Sequence, residues 1–166
     1  GKFNVGVSGI SVTPEREKNT LFSVPYCLAA QAIVVTSDSA ITCKDDLAGK
    51  TVSVQTGTTA EEFCMKNGYT VKAFAANADA EAALTVGKVD AWVIDDLTAA
   101  EMVAAYNKDH PDAPLVILDE AMTTEPYAFA FAFGSEDLVE KIKKHSPKMI
   151  YVIPTFQNPS GRTLSL

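Results

Sequence analysis

The chain has 166 residues, 14 Lys and Arg against 21 Asp and Glu, a formal net charge of −7, and 47% hydrophobic residues. That composition is globular rather than disordered, and the length suits one domain or two small ones. The acidic balance leaves no electrostatic footprint for nucleic acid, no apolar run reaches the ~20 residues that cross a bilayer, no secretory leader pattern opens the chain, and three cysteines are too few for a disulfide scaffold.

Taken in chain order, strands alternate with helices. Lys2–Val7 is a short apolar-alternating run, and Ser8-Gly9 is expected to turn it into a loop. Thr13-Pro14-Glu15-Arg16-Glu17 has the form of a helix start, with Thr as N-cap, Pro at the first helical position and acid in the first turn. Ala30–Val35 is β-branched and apolar, hence a strand, and Lys44–Ala48 is a helical turn ended by Gly49. Thr51–Gln55 is a strand, Ala60–Lys66 a helix, Tyr69–Phe74 a strand and Ala78–Val86 a helix that Gly87 terminates. Ala91–Ile94 is a strand, and Asp95-Asp96 opens a helix through Tyr106. Asn107–Pro114 is a polar turn, Leu115–Leu118 a strand, Tyr127–Phe133 extended, Glu136–Lys144 a helix and Lys148–Ile153 a final strand. This alternation predicts an α/β fold with a mostly parallel sheet, which binds ligands beyond the carboxyl ends of its strands. Three loops are expected there: Ser8–Ser11, Thr56–Thr59 and Asp95–Asp96.

Each of these loops carries residues that could hold a ligand. Gly9 lets backbone approach closely, Ser11 offers a hydroxyl and an N–H, and Arg16 offers a fork matched to a carboxylate. Thr58 and Thr59 stand at a strand-to-helix junction, where free N–H groups and the helix dipole favour an anion. Asp95 follows an apolar strand and could hold an ammonium group. Ordinary explanations stand beside these. Arg16 could be a solvated surface residue, Thr58 or Thr59 an N-cap completed by Glu61 or Glu62, and Asp95 an N-cap for the next helix. Together the three groups make a receptor for a zwitterion, which fits a free α-amino acid. No metal site is expected, because Cys27, Cys43 and Cys64 form no CxxC and His110 and His145 are isolated. A Cys43–Cys64 disulfide stays open.

The order Phe3-Asn4-Val5-Gly6-Val7-Ser8-Gly9-Ile10-Ser11-Val12-Thr13-Pro14-Glu15-Arg16, then Phe22-Ser23-Val24-Pro25-Tyr26, resembles the family 3 extracellular solute-binding proteins of polar amino acid ABC transporters. Asp46–Thr59, Gly87–Asp95 and Pro126–Phe131 continue the resemblance in unbroken order. It implies a periplasmic-binding-protein type II-like α/β fold: one complete lobe and a partial second lobe joined by two hinge strands. The implied divisions are a partial lobe over 1–30, the complete lobe with its hinge strands over 31–125, a return over 126–144 and a tail over 145–166. Pro25–Ile33 and Glu125–Ala130 would be the crossing strands. The implied function is binding without catalysis. Arg16 takes the ligand carboxylate with Gly9 and Ser11 nearby, Thr59 adds a carboxylate contact beside Thr58, and Asp95 takes the ammonium. An importer permease is the implied partner and the location is extracytoplasmic.

Two departures add expectations. The family's N-terminal segment has no counterpart here, so strand Lys2–Val7 would lack its normal sheet neighbours, and a homodimer, strand-exchanged or otherwise associated, is expected. The tail Lys148–Ser165, with Asn158-Pro159-Ser160-Gly161, resembles a fragment of a fold-type I, PLP-dependent aminotransferase, in which Asn158 would face the cofactor. The Schiff-base lysine and phosphate loop have no counterpart, so no cofactor is expected. The alternative function is a sensory or fused domain, or a fragment, of such an aminotransferase protein, which would suit the cytoplasm.

Overall fold

The computed structural model describes residues 4–145, so the aminotransferase-like tail, Asn158 included, lies outside the described residues. The chain divides into two compact units. One holds the chain up to Ala29 and from Glu125 onward, and the other is Ala30–Thr124.

The first unit contains β1 (Val5–Ser11), α1 (Pro14–Glu17), β2 (Leu21–Phe22), β3 (Cys27–Ala29), β9 (Glu125–Phe131) and α5 (Glu136–His145). The central strand is β9, with β1, β2 and β3 all antiparallel to it. Its sequence Glu-Pro-Tyr-Ala-Phe-Ala-Phe suits that position, since five of the seven residues are buried. Phe129 and Phe131 form the core with Val139 of α5, flanked by Val7, Leu21 and Ile142.

Two expectations about the start of the chain need correction. Ser8-Gly9 does not end the first strand. β1 runs on to Ser11 through an irregularity between Gly6 and Ile10, where the register slips against β9. Gly9 makes this slip by adopting φ +54°, and a Cβ there would stand 3.1 Å from Cε2 of Tyr127. Nor does β1 lack a sheet neighbour, because it pairs with β9 from Val5↔Phe131 to Ser11↔Tyr127.

The second unit holds β4 (Gln31–Thr36), a 3-10 turn (Lys44–Leu47), β5 (Thr51–Gln55), α2 (Thr59–Lys66), β6 (Thr70–Phe74), α3 (Asn77–Thr85), β7 (Ala91–Asp95), α4 (Asp96–Asp109) and β8 (Leu115–Ile117). Its sheet has the order β6-β5-β7-β4-β8. β5 is parallel to β6 and β7, whereas β4 is antiparallel to both β7 and β8. Because β7 and β8 both oppose β4, they run the same way, so β4 alone runs against the other four strands. The helices α2, α3 and α4 supply the crossovers that parallel strands require. β4 follows the linking residue Ala30 instead of a helix, and so enters from the opposite end.

Apolar alternation places residues of one strand on both faces of this sheet. Ala32 and Val34 of β4 join Trp92, Ile94, Ala80, Leu84 and Val103 on the α3–α4 side. Ile33 and Val35 join Val52, Val54, Val93, Ala60 and Cys64 on the α2 side. Covered on both faces, the strands read as near-continuous apolar runs. The polar exception in β5 is Ser53, whose buried Oγ donates to the Ala80 carbonyl at 3.0 Å.

The expected crossing segment Pro25–Ile33 holds two strands, β3 in the sheet of the first unit and the start of β4 in the sheet of the second, with Ala30 between them. Glu125–Ala130 lies within β9, which pairs only with strands of the first unit among the described residues. α4 also continues three residues past Tyr106, through Asp109, so the polar turn starts later than expected. All three cysteines are free, which removes the Cys43–Cys64 disulfide.

Candidate functional site

The residues singled out in the sequence form two groups, one in each unit. In the first unit, Thr13 caps α1 by accepting from the Arg16 N–H at 3.2 Å, and Pro14 occupies the first helical turn. That cap fixes where Arg16 leaves the backbone. Its Nη1 donates to the Ser11 carbonyl at 3.1 Å, so the guanidinium lies beside the end of β1. Arg16 is half-buried, and among the described residues no carboxylate forms an ion pair with it. A guanidinium has five N–H donors, so a single bond to a neutral carbonyl leaves most of its capacity and all of its charge for a ligand.

Ser11 is almost wholly buried, and its hydroxyl donates to Oε2 of the buried Glu125 at 2.6 Å. The proton of that hydroxyl is therefore committed within the protein. Glu125, which opens β9, is a partner of a candidate site residue that sequence reasoning missed. An acid heading an apolar strand was the available signal, but nothing local tied it to Ser11, 114 residues earlier. Gly9 faces Tyr127 through its missing side chain, on the same pairing of β1 with β9.

In the second unit, the two threonines separate. Thr58 is the N-cap of α2. Its Oγ1 accepts from the Glu61 N–H at 3.3 Å and donates to the Gln55 carbonyl at 2.7 Å. Glu61 reaches back to the Gly57 N–H at 2.7 Å, one residue ahead of the usual capping-box partner. Thr59, the first helical residue, instead turns its Oγ1 toward Gln31, whose Nε2 donates to it at 3.3 Å. The same Nε2 donates to Asp95 Oδ1 at 2.5 Å. Asp95 occupies the N-cap position of α4 yet makes no side-chain cap bond. The capping explanation thus accounts for Thr58 but not for Asp95.

Gln31 brings Thr59 and Asp95 together and was not foreseen. Strand direction explains both its place and its invisibility. β5 and β7 are parallel neighbours, so Thr59 just beyond β5 and Asp95 at the end of β7 share one end of the sheet. β4 runs the other way, and its first residue, Gln31, is the register partner of Asp95. Gln31 is fully buried, and its Oε1 has no hydrogen-bond partner. An unsatisfied buried acceptor costs on the order of 1–3 kcal/mol. Among the described residues, no group of three or more His, Cys, Asp or Glu could hold a metal ion.

The model of the family of bacterial extracellular solute-binding proteins, family 3, matches residues 1–151, and so runs past residue 145, where the tail was expected to begin. The L-cystine-binding protein TcyJ of Escherichia coli (strain K12) is 30% identical over 145 residues, which cover 85% of this chain and 53% of that protein. The arginine-binding extracellular protein ArtP of Bacillus subtilis (strain 168) is 32% identical over 148 residues, covering 86% of this chain and 56% of that one. The solved structure of holo ArgBP from T. maritima superposes with a TM-score of 0.75 at 39% identity, over 87% of this chain and 62% of that chain. The chain spans about half the length of the curated relatives it matches.

Proposed function

Because the chain belongs to the bacterial extracellular solute-binding proteins, family 3, we propose that it binds a free α-amino acid as the ligand-binding part of an ABC importer, outside the cytoplasmic membrane. Arg16 takes the ligand carboxylate, and backbone at Gly9 and Ser11 lies beside it. Thr59 adds its hydroxyl to the same carboxylate, Thr58 contributes through its backbone N–H at the start of α2, and Asp95 takes the ammonium. A permease of the importer is the partner. The chain acts by binding, and none of its residues is assigned a catalytic role.

One observation carries this reading. The Arg16 guanidinium is held by a neutral carbonyl, and its charge is not cancelled by any carboxylate among the described residues. An Arg kept half-buried without a counter-charge suits an anionic ligand, and bidentate geometry favours a carboxylate. Asp95 adds the opposite charge that a zwitterion needs. It stands at a helix start without capping it, and so is not explained by the local backbone.

Calorimetry with the twenty amino acids and L-cystine tests the proposal. L-arginine and L-cystine come first in the series, since relatives are named for them. Heat from at least one amino acid is the expected result. No heat from any of them, or tight binding of a sugar or a metal ion instead, refutes it. Self-association through strand exchange would use the outer edge of β1, because β9 occupies the inner one. A single monomeric species in sedimentation velocity at high concentration would exclude it.

A further inference from the structure

We infer that Gln31 is the positioning residue of the amino-acid site: its carboxamide sets the Asp95 carboxylate and the Thr59 hydroxyl in the geometry that receives the ligand. This rests on the amino-acid-binding reading above. Gln31 is fully buried, and its single Nε2 donates to Asp95 Oδ1 at 2.5 Å and to Thr59 Oγ1 at 3.3 Å. Both amide protons are thereby used on residues of the site. The opposite amide orientation would bring Oε1 against a carboxylate oxygen, acceptor to acceptor, so chemistry decides which way the group points.

The backbone of Gln31 is fixed as firmly as its side chain. Its N–H donates to Thr123 Oγ1 at 2.9 Å, and its carbonyl accepts from the Met122 N–H at 2.8 Å. β4 pairing with β7 adds the register Gln31↔Asp95. The carboxamide therefore projects from an anchored strand end and cannot drift with a loop. A group held this way presents its partners in a preset arrangement, which reduces the ordering that a ligand must impose.

The unpartnered Oε1 says what the residue is for. Were position 31 only a place in the core, leucine would fill nearly the same volume beside Ala32 and Ile33 without burying a lone acceptor. The glutamine carries that penalty, and what it brings in return is its pair of donors. Accepting from Gln31 ties Thr59 Oγ1, at the start of α2, to the same Nε2 that holds the Asp95 carboxylate. With Oδ1 of Asp95 engaged, the plane of the carboxylate is set for the ligand ammonium.

The test uses the whole 166-residue chain. Gln31→Leu is expected to weaken amino-acid binding tenfold or more in calorimetry, with a thermal midpoint no lower than that of the unchanged chain. A second readout follows the Gln31 side-chain amide pair in 1H–15N spectra. That pair is expected to move in Asp95→Asn and in Thr59→Val, and again when the amino acid is added to the unchanged chain. This arm decides the matter should Gln31→Leu fail to fold. An unchanged Kd in a folded Gln31→Leu, or an amide pair indifferent to Asp95→Asn and to ligand, overturns the role of Gln31 alone. Absence of amino-acid binding by the unchanged chain overturns the binding reading itself, and the ligand role of Gln31 with it.

Discussion

Replacing Arg16 with alanine separates binding from stability more sharply than any other single change. The side chain makes one hydrogen bond within the protein, to the Ser11 carbonyl at 3.1 Å, and the cap between its N–H and Thr13 is a backbone matter that alanine preserves. Loss of one such bond costs about 1 kcal/mol of stability. Binding loses much more. Truncating one member of a hydrogen-bonded charge pair costs ~2–5 kcal/mol, and the half-buried position of Arg16 argues for the lower part of that range, about 2–3.5 kcal/mol or roughly 30- to 300-fold in Kd. Calorimetry with the amino acid that the unchanged chain binds gives the Kd, and urea unfolding followed by circular dichroism gives the stability. Arg16→Lys should fall between, since it keeps the charge and loses the fork. A Kd for Arg16→Ala within threefold of the unchanged chain would refute the assignment of Arg16 to the ligand carboxylate.

Three further changes test the framework around the site. Gly9→Ala forces a side chain into φ +54° and within 3.1 Å of Tyr127, so urea unfolding should show a loss of at least ~1–2 kcal/mol. Gly57→Ala, at φ +77° in open space, should cost only the backbone part, and equal losses would mean that the Tyr127 contact is relieved freely. Burial pushes the Cys64 thiol up to about 12, so at neutral pH it stays protonated and buried. Iodoacetamide should then label Cys27 and Cys43 in the folded chain and Cys64 only in urea, as read by mass spectrometry. Hydrogen bonds from the Thr42 backbone, the Thr42 hydroxyl and the Cys43 backbone hold the Asp46 carboxyl below its ordinary range. A depressed folded pKa stabilises above the unfolded value and is lost as pH falls through the folded one. The unfolding midpoints of the unchanged chain and Asp46→Asn should therefore differ at neutral pH and converge in acid, and a gap that persists in acid would show that these bonds do not favour the charged form.

What was legible in the sequence was mainly what is local. Thr13-Pro14 starts α1 where capping preference puts it, and Thr51–Gln55 is a strand with the expected limits. Non-local pairing was not legible. Ser8-Gly9 reads as a strand end because Gly and Ser favour turns, yet tertiary pairing with β9 carries β1 through both residues as an irregularity. β2 is two residues long and β3 three, too short for any periodicity to register, and both exist because β9 supplies their hydrogen bonds. The opposite direction of β4 was equally hidden, since alternation of strands and helices says nothing about a strand that a linker delivers. That single reversal is what places Gln31 opposite Asp95.

The same distinction sorts the candidate site. Arg16, Thr58, Thr59 and Asp95 each had a capping or surface explanation as well as a binding one, and residue type alone could not choose. Geometry separates neighbours of identical chemistry. The Thr58 hydroxyl both accepts from the helix N-terminus and donates to Gln55, so its location follows from the helix it starts. Thr59 and Asp95 hold equally good positions for local bonds, yet both engage Gln31 across the sheet, and Asp95 makes no cap bond to α4, where Asp96 Oδ1 instead accepts from the Leu97 N–H at 2.8 Å. Forgoing a cap costs about 1 kcal/mol. Burying a glutamine whose Oε1 is unmatched adds on the order of 1–3 kcal/mol. Two departures from the cheapest local arrangement at one end of one sheet are hard to account for by folding alone. They have a common explanation if that end of the sheet is shaped to receive an ammonium group beside a carboxylate.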